Sequence, residues 1–248
     1  FGVPLRILLQ TRDRALALGA PVVVIGPGDD PRTGTWVLVF DVLLRGTPYR
    51  FIDGGHAALF PASPSTLVVA PGAEAAAAIY ARAGVIGSGD ALPARAGEEP
   101  FRLARWEGGR TLDLRPIAGP RALTNGAELI GYQWKGDLRP GGSIEWCIAW
   151  RVWKPPADST AAYHIFNHLL DADGKGWTQA DSPTVPVKDW QVDDLVVQFY
   201  RLEIPAEAGI GPYAMRVGMY SYPALRNQPA LDVAGNPAAD WVTIGLER

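Results

Sequence analysis

Residues 143–153 read SIEWCIAWRVW, and the strict two-residue alternation of this run constrains the chain more than any other feature. It places Ile144, Trp146, Ile148, Trp150 and Val152 on one face of an extended strand and Glu145, Cys147, Ala149, Arg151 and Trp153 on the other. No helical period fits the run. A strand with one face this apolar needs a second layer over it. Residues 163–170 (YHIFNHLL) alternate in the same way, although Asn167 stands where an apolar residue is expected. Asp171-Ala172-Asp173-Gly174 then ends the run with residues that tolerate positive φ.

The same texture continues through residues 101–106, 111–114, 128–134, 177–180, 195–204, 213–220 and 241–246. Turn signals fall between these runs at Gly108-Gly109, Asn125-Gly126, Pro140-Gly141-Gly142 and Pro212. This pattern predicts an antiparallel β-sandwich, jelly-roll or Ig-like, over residues 98–248. Eight of the nine tryptophans lie after residue 100.

The first part of the chain is built differently. Residues 4–17 read as a helix with Pro4 at its start, leucines along one stripe and Gly19 as a stop. Residues 22–25 (VVVI) read as a strand covered on both faces. Residues 36–45 (WVLVFDVLLR) fit helix or strand by length, with helix favoured for the second half. Strands at 49–53 and 66–70 and an alanine-rich helix at 74–82 follow, the last ended by Gly84. This order predicts a small three-layer α/β domain over residues 1–97. The Gly-, Ala- and Pro-rich stretch 84–100 is the expected boundary.

Charge excludes one class of partner. Residues 1–97 carry eight Lys and Arg against seven Asp and Glu, and residues 98–248 carry fifteen against nineteen. With no basic excess, binding driven by nucleic-acid phosphates has little to work with. Cys147 is the one cysteine, so no intrachain disulfide forms, and its place on an alternating strand reads as a small core residue. No apolar run approaches the roughly 20 residues that cross a bilayer. The opening Phe1-Gly2-Val3-Pro4 resembles no signal peptide, and a start at Phe reads as a piece of a longer protein.

Few constellations carry chemistry. Gly26-Pro27-Gly28-Asp29-Asp30 follows a strand as a phosphate loop does. Pro31 occupies the place of its last glycine, however, and two acids stand where backbone amides should meet an anion, so a polar loop is expected instead. His164 and His168 have a spacing that chelates zinc on a helix, but four residues of strand span roughly 13 Å, too far for one ion. Asp171, Asp173, Gly174, Asp181 and the paired Asp193-Asp194 suggest a calcium loop, yet the later oxygen ligands and a closing bidentate Glu are missing, and a hairpin turn explains the Asp-x-Asp-Gly spacing. No metal and no cofactor is expected. Trp134, Trp153, Trp177 and Trp190 have no clear place on an inner face. Exposed aromatic planes beside Asp, Asn and Gln hold sugar rings, while tryptophan also fills wide cores. The candidate ligand residues are therefore Trp134, Trp153, Trp177, His168, Asp171 and Asp173. No nucleophile elbow or other catalytic signature is present.

Several segments resemble a known family. Leu129-Ile130-Gly131-Tyr132, Leu138-Arg139-Pro140-Gly141-Gly142, the Trp146–Trp153 strand and the run from Phe166 to Gly174 are similar to the soluble tail of bacterial polytopic membrane glycosyltransferases of the dolichyl-phosphate-mannose-protein mannosyltransferase type. Gln179-Ala180-Asp181, Tyr200 to Pro205, and Gly211-Pro212-Tyr213 to Gly218-Met219-Tyr220 continue the likeness in order. In the first domain, Val39 to Leu44 and Arg50 to Gly54 resemble the segment that follows the last membrane helices of such proteins. The resemblance implies a non-catalytic extracytoplasmic region, tethered to the membrane in the full-length protein. Its implied partners are the membrane domain of the same protein and a glycan or protein acceptor. A free-standing carbohydrate-binding module and a small hydrolase acting at the domain interface remain the other two readings.

Overall fold

Runs that are apolar on both faces become central strands, and alternating runs become strands with one wet face. The computed structural model describes residues 3–30, 32–87, 91–94, 97–108, 112–119, 121–156 and 158–246. Of the positions used above, Phe1, Gly2, Pro31, Gly109 and Thr111 lie outside the described residues. The chain is mostly β, with several antiparallel sheets, and divides into two units, Phe1–Leu112 and Asp113–Arg248.

The first unit runs α1 (Leu5–Leu18), β1 (Val22–Gly26), α2 (Thr35–Leu43), β2 (Tyr49–Asp53), β3 (Ala57–Phe60), β4 (Ser65–Val69), α3 (Glu74–Arg82), β5 (Ala91–Leu92) and β6 (Phe101–Trp106). One sheet has the order β2-β1-β4-β6-β5, with β1 parallel to both β2 and β4. The central position of β1 explains its unbroken apolar sequence, and all five of its residues are buried. The ambiguous stretch after Gly34 is helical from Thr35, with Val37 and Phe40 turned inward. Tyr80 on α3 ties down β3, its hydroxyl accepting from the Leu59 amide at 2.9 Å and donating to the Leu59 carbonyl at 2.8 Å.

One expectation changes here. Residues 101–106 were expected to open the sandwich domain, but β6 lies antiparallel to β4, and Phe101 and Leu103 enter the first unit's core beside Val24, Phe40 and Val68. The Gly- and Pro-rich stretch before it is a connection within the unit, not a boundary between units. The division falls after Leu112.

The second unit contains β7 (Arg115–Pro116), β8 (Ala127–Gly136), β9 (Ser143–Val152), β10 (Ala162–Leu170), β11 (Gly176–Pro183), β12 (Leu195–Glu203), β13 (Tyr213–Tyr222), β14 (Arg226–Asn227), β15 (Ala230–Leu231), β16 (Pro237–Ala239) and β17 (Val242–Leu246). Residues 112–114, part of an expected strand, precede the short β7 instead. One antiparallel set runs β12-β9-β8-β7 and a second runs β11-β10-β13-β14, with β17 on the same side of β13 as β14. β15 pairs with β16 apart from both.

The inner face read from residues 143–153 holds in β9, where Ile144, Trp146, Ile148, Trp150 and Val152 are buried, while Cys147 and Ala149 on the opposite face are buried as well and only Glu145 and Arg151 of that face are exposed. Asn167, the exception to the apolar pattern, is fully buried and points the same way as Ile165 and Leu169. The Trp146 Nε1 donates to its Oδ1 at 2.8 Å, and its own Nδ2 donates to the Ala180 carbonyl at 3.1 Å. A second buried contact lies nearby. Trp150 Nε1 donates to Gln198 Oε1 at 2.8 Å, while Gln198 Nε2 donates to Ser182 Oγ at 2.8 Å and to the Pro183 carbonyl at 2.9 Å. Ser182 Oγ also pairs with the Tyr200 hydroxyl at 2.8 Å. Burial pushes the Tyr200 phenol well above its ordinary range, so it stays protonated as a hydrogen-bonding hydroxyl.

These contacts join β9 and β12 of one sheet to β10 and β11 of the other. Replacing Asn167→Leu keeps most of the volume but strands the buried Trp146 N–H, and an unpaired buried donor costs about 1–3 kcal/mol. Urea unfolding of Asn167→Leu should show a loss of that size. A loss below about 0.5 kcal/mol would mean that the bond does not hold the two sheets in place.

Candidate functional site

The inward Asn167 decides which residues of β10 face outward. His164, Phe166, His168 and Leu170 share the opposite face, and the antiparallel register sets particular neighbours beside them. On β13, Tyr220 lies opposite His164, Gly218 opposite Phe166 and Arg216 opposite His168. On β11, Asp181 lies opposite Phe166 and Gln179 opposite His168. Gly218 is required by the ring across from it, since a Cβ there would come within 2.5 Å of Phe166 Cζ. The ring therefore lies down over the β13 backbone, and Phe166 is 5% exposed although it sits on the outer face.

The far edge of β13 is shared by β14 and β17, and Leu225 just before β14, Asn227 within it and Trp241 just before β17 stand beside the face. These three, with Phe166, His168, Asp181, Arg216 and Tyr220, line an open cleft of about 320 Å³. Arg216 lies against Trp241, its Cζ 4.3 Å from the ring centroid. At the other side of the cleft Tyr220 donates its hydroxyl to Asp181 Oδ2 at 3.3 Å, and His168 Nε2 stands 3.7 Å from Asp181 Oδ1. His164 stacks on Tyr222 with ring centroids 4.7 Å apart, extending the aromatic surface along β10. The cleft thus combines an apolar floor and wall with a carboxylate, a guanidinium, an imidazole, a phenol and an amide.

A second hollow of about 350 Å³ adjoins it and shares His168 and Arg216. Its remaining wall is the β10–β11 hairpin, including Trp177, Thr178 and Gln179. Asp171 shapes that hairpin. Its Oδ1 accepts the backbone N–H groups of Asp173 and Lys175, each at 3.0 Å, and its Oδ2 accepts Trp177 Nε1 at 2.7 Å. These donors, Trp177 foremost, hold the Asp171 carboxyl below its ordinary range. Lys175 covers one face of the Trp177 ring with its Nζ 3.7 Å from the centroid. The Asp-x-Asp-Gly segment is therefore a turn whose first carboxylate orients a tryptophan. No group of three or more metal-ligating side chains occurs among the described residues.

Of the six residues expected from sequence, the structure brings His168 and Trp177 to these hollows and gives Asp171 the task of holding Trp177. Asp173 lies exposed in the turn. Trp134 and Trp153 line neither hollow among the described residues. Trp134 stands opposite Trp146 in the β8–β9 register and is therefore on the same face as that core residue. Trp153 is half-buried beneath Lys154, whose Nζ is 4.5 Å from its ring centroid. Trp190, also unplaced by sequence, is buried against Trp150 and Tyr163.

Sequence reasoning passed over Arg216, Tyr220, Asn227 and Trp241. The parity of β10 and β13 carries the signal for Arg216 and Tyr220, but that parity becomes readable only once Asn167 is known to point inward. Trp241 and Asn227 come from short, irregularly connected pieces with no period to read.

No family model matches the chain, and no curated protein matches it. Among solved structures, the C-terminal domain of Wzt is similar, with 13% identity, 54% of this chain and 83% of that chain covered, and a TM-score of 0.34.

The imidazoles report on the face. Burial lowers the pKa of both His164 and His168 below the ordinary 6.5, while the Asp181 charge opposes the shift in each and Arg216 adds to it at His168. Both rings bind fewer protons folded than unfolded. Their contribution to stability is therefore complete above pH 6.5 and is lost as pH falls through the lowered native values. Asp181→Asn should lower both pKa values further in an NMR titration of the ring protons. An unchanged or raised His168 value would show that Asp181 does not act on that ring.

Proposed function

We propose that the second unit is a non-catalytic β-sandwich that binds saccharide on the outer face of β10, β11 and β13. The observation that carries this reading is the open cleft in which Tyr220 and Trp241 stand beside Asp181, His168 and Asn227. A pyranose ring has one or two apolar C–H faces and a rim of hydroxyls. Aromatic faces, negative at the π surface, receive the C–H groups, and fixed carboxylate, imidazole and amide groups take up the hydroxyls. The first unit is a small three-layer α/β domain in the same proposal.

Binding is favoured over hydrolysis on a specific ground. Most glycoside hydrolases use two carboxylates flanking the scissile bond, and Asp181 is the one carboxylate lining the cleft among the described residues. The wider setting rests on the resemblance of the strand and turn segments to the soluble tail of membrane glycosyltransferases. In that setting the chain is an extracytoplasmic accessory region, tethered through its parent protein, that presents a glycan acceptor to the membrane domain or packs upon it. No helix among the described residues is long and apolar enough to cross a membrane.

A glycan-array screen of the purified chain tests the reading. A saccharide that is retained should lose affinity when Tyr220→Ala or Trp241→Ala is introduced. If stacking of nucleic-acid bases on aromatic rings guides the magnitude, each ring contributes about 1–3 kcal/mol, or roughly 5- to 150-fold in affinity. Trp134→Ala and Trp153→Ala should leave binding unchanged. A blank array with folded protein would refute saccharide recognition and leave packing on the membrane part as the role of this region.

A further inference from the structure

Two hollows share His168 and Arg216, but their charge differs. The first holds Asp181. The second has no carboxylate among its described lining residues, and its polar groups are Arg216, His168, Thr178 and Gln179 beside the Trp177 ring. Two acids adjoin the lining in sequence: Asp171 spends its oxygens on two backbone N–H groups and the Trp177 indole, and Asp173 lies exposed in the turn outside the lining. Arg216 makes no ion pair among the described residues, and its Nε is enclosed without a hydrogen-bond acceptor. It lies against the Trp241 ring, which fixes the direction of the guanidinium but supplies no carboxylate to pair with it. Lys175, over Trp177, adds a second cation at the rim.

A planar guanidinium that is partly exposed, held in direction and unpaired matches a carboxylate better than a hydroxyl. Resting on the saccharide-binding reading above, we infer that the ligand is an acidic saccharide. One ring lies in the cleft of Tyr220 and Trp241, and the carboxylate of the same or the next residue lies over Arg216 in the second hollow. Thr178 and Gln179 accept or donate to the hydroxyls beside it, and Trp177 closes the far side. Arg216 then separates acidic from neutral saccharides, while the aromatic cleft takes either.

The test uses oligosaccharides of galacturonate, glucuronate and mannuronate, each paired with its carboxyl-reduced neutral form, titrated into the whole chain. The acidic member of at least one pair should bind at least about tenfold more tightly than its reduced form, the factor that about 1.4 kcal/mol represents. Arg216→Gln should bring the acidic member to the affinity of the neutral one, and Arg216→Lys should restore only part of the preference. Arg216 supports Trp241, so a second measurement on the unaltered protein avoids dependence on folding of the variants. Raising salt from about 0.05 to about 0.5 M should weaken the acidic ligand and spare the reduced one, because screening acts on the charge. Equal affinity of the two members, or salt-independent binding of both, overturns the acidic preference and leaves saccharide binding standing. Retention of neither member of any pair overturns the acidic-saccharide inference, whereas a blank glycan array is the result that overturns the saccharide reading itself.

Discussion

The bond from the Trp146 indole to Asn167 is the constraint on which the rest of the second unit depends. A strand has only two faces, and a slip of one residue exchanges them completely. A buried amide cannot move to an apolar surrounding without losing its partners, so Asn167 fixes the parity of β10 more firmly than another leucine would. The Gln198 contacts to Trp150, Ser182 and Pro183 do the same for β11 and β12. With these satisfied, His164, Phe166 and His168 have one place to go, which is outward.

The outer face inherits its shape from that parity. Because Gly218 lies opposite Phe166, the ring folds flat and leaves room above it. The far edge of β13 is divided between two short partners, and Leu225, Asn227 and Trp241 at their ends supply a wall that a continuous strand would not. A hydrogen-bonded core and an open, chemically mixed surface are thus consequences of one register. Arg216, opposite His168 across the β10–β13 pair, falls between the two hollows for the same reason.

Much of this was legible in the sequence, and the illegible part has physical causes. The strands at 143–152, 162–170, 195–203 and 213–222 follow directly from alternating side chains and the turn residues between them, although burial itself runs over consecutive residues in the middle of several. β6 has a strand's pattern, but pattern alone does not say which sheet a strand joins, and a flexible composition ahead of it suggested a boundary that is not there. Tryptophan was the least readable residue. Trp134 and Trp190 serve the core side, Trp177 and Trp241 the open face, and nothing in composition separates these uses, since all are large apolar rings with one polar atom. His168 stood among the sequence candidates because it lies near the end of an alternating run, whereas Arg216 needed the register of a pair 48 residues apart in the chain.

The most direct test of the account follows the nine tryptophan indole N–H signals by NMR during titration with a uronate oligosaccharide or with the saccharide that the array returns. Saturable shifts of the Trp177 and Trp241 signals are expected, with Trp134, Trp153 and the buried Trp146 and Trp150 unmoved. Shifts confined to Trp134 or Trp153 would contradict it, since they would place recognition away from the face that Asn167 turns outward.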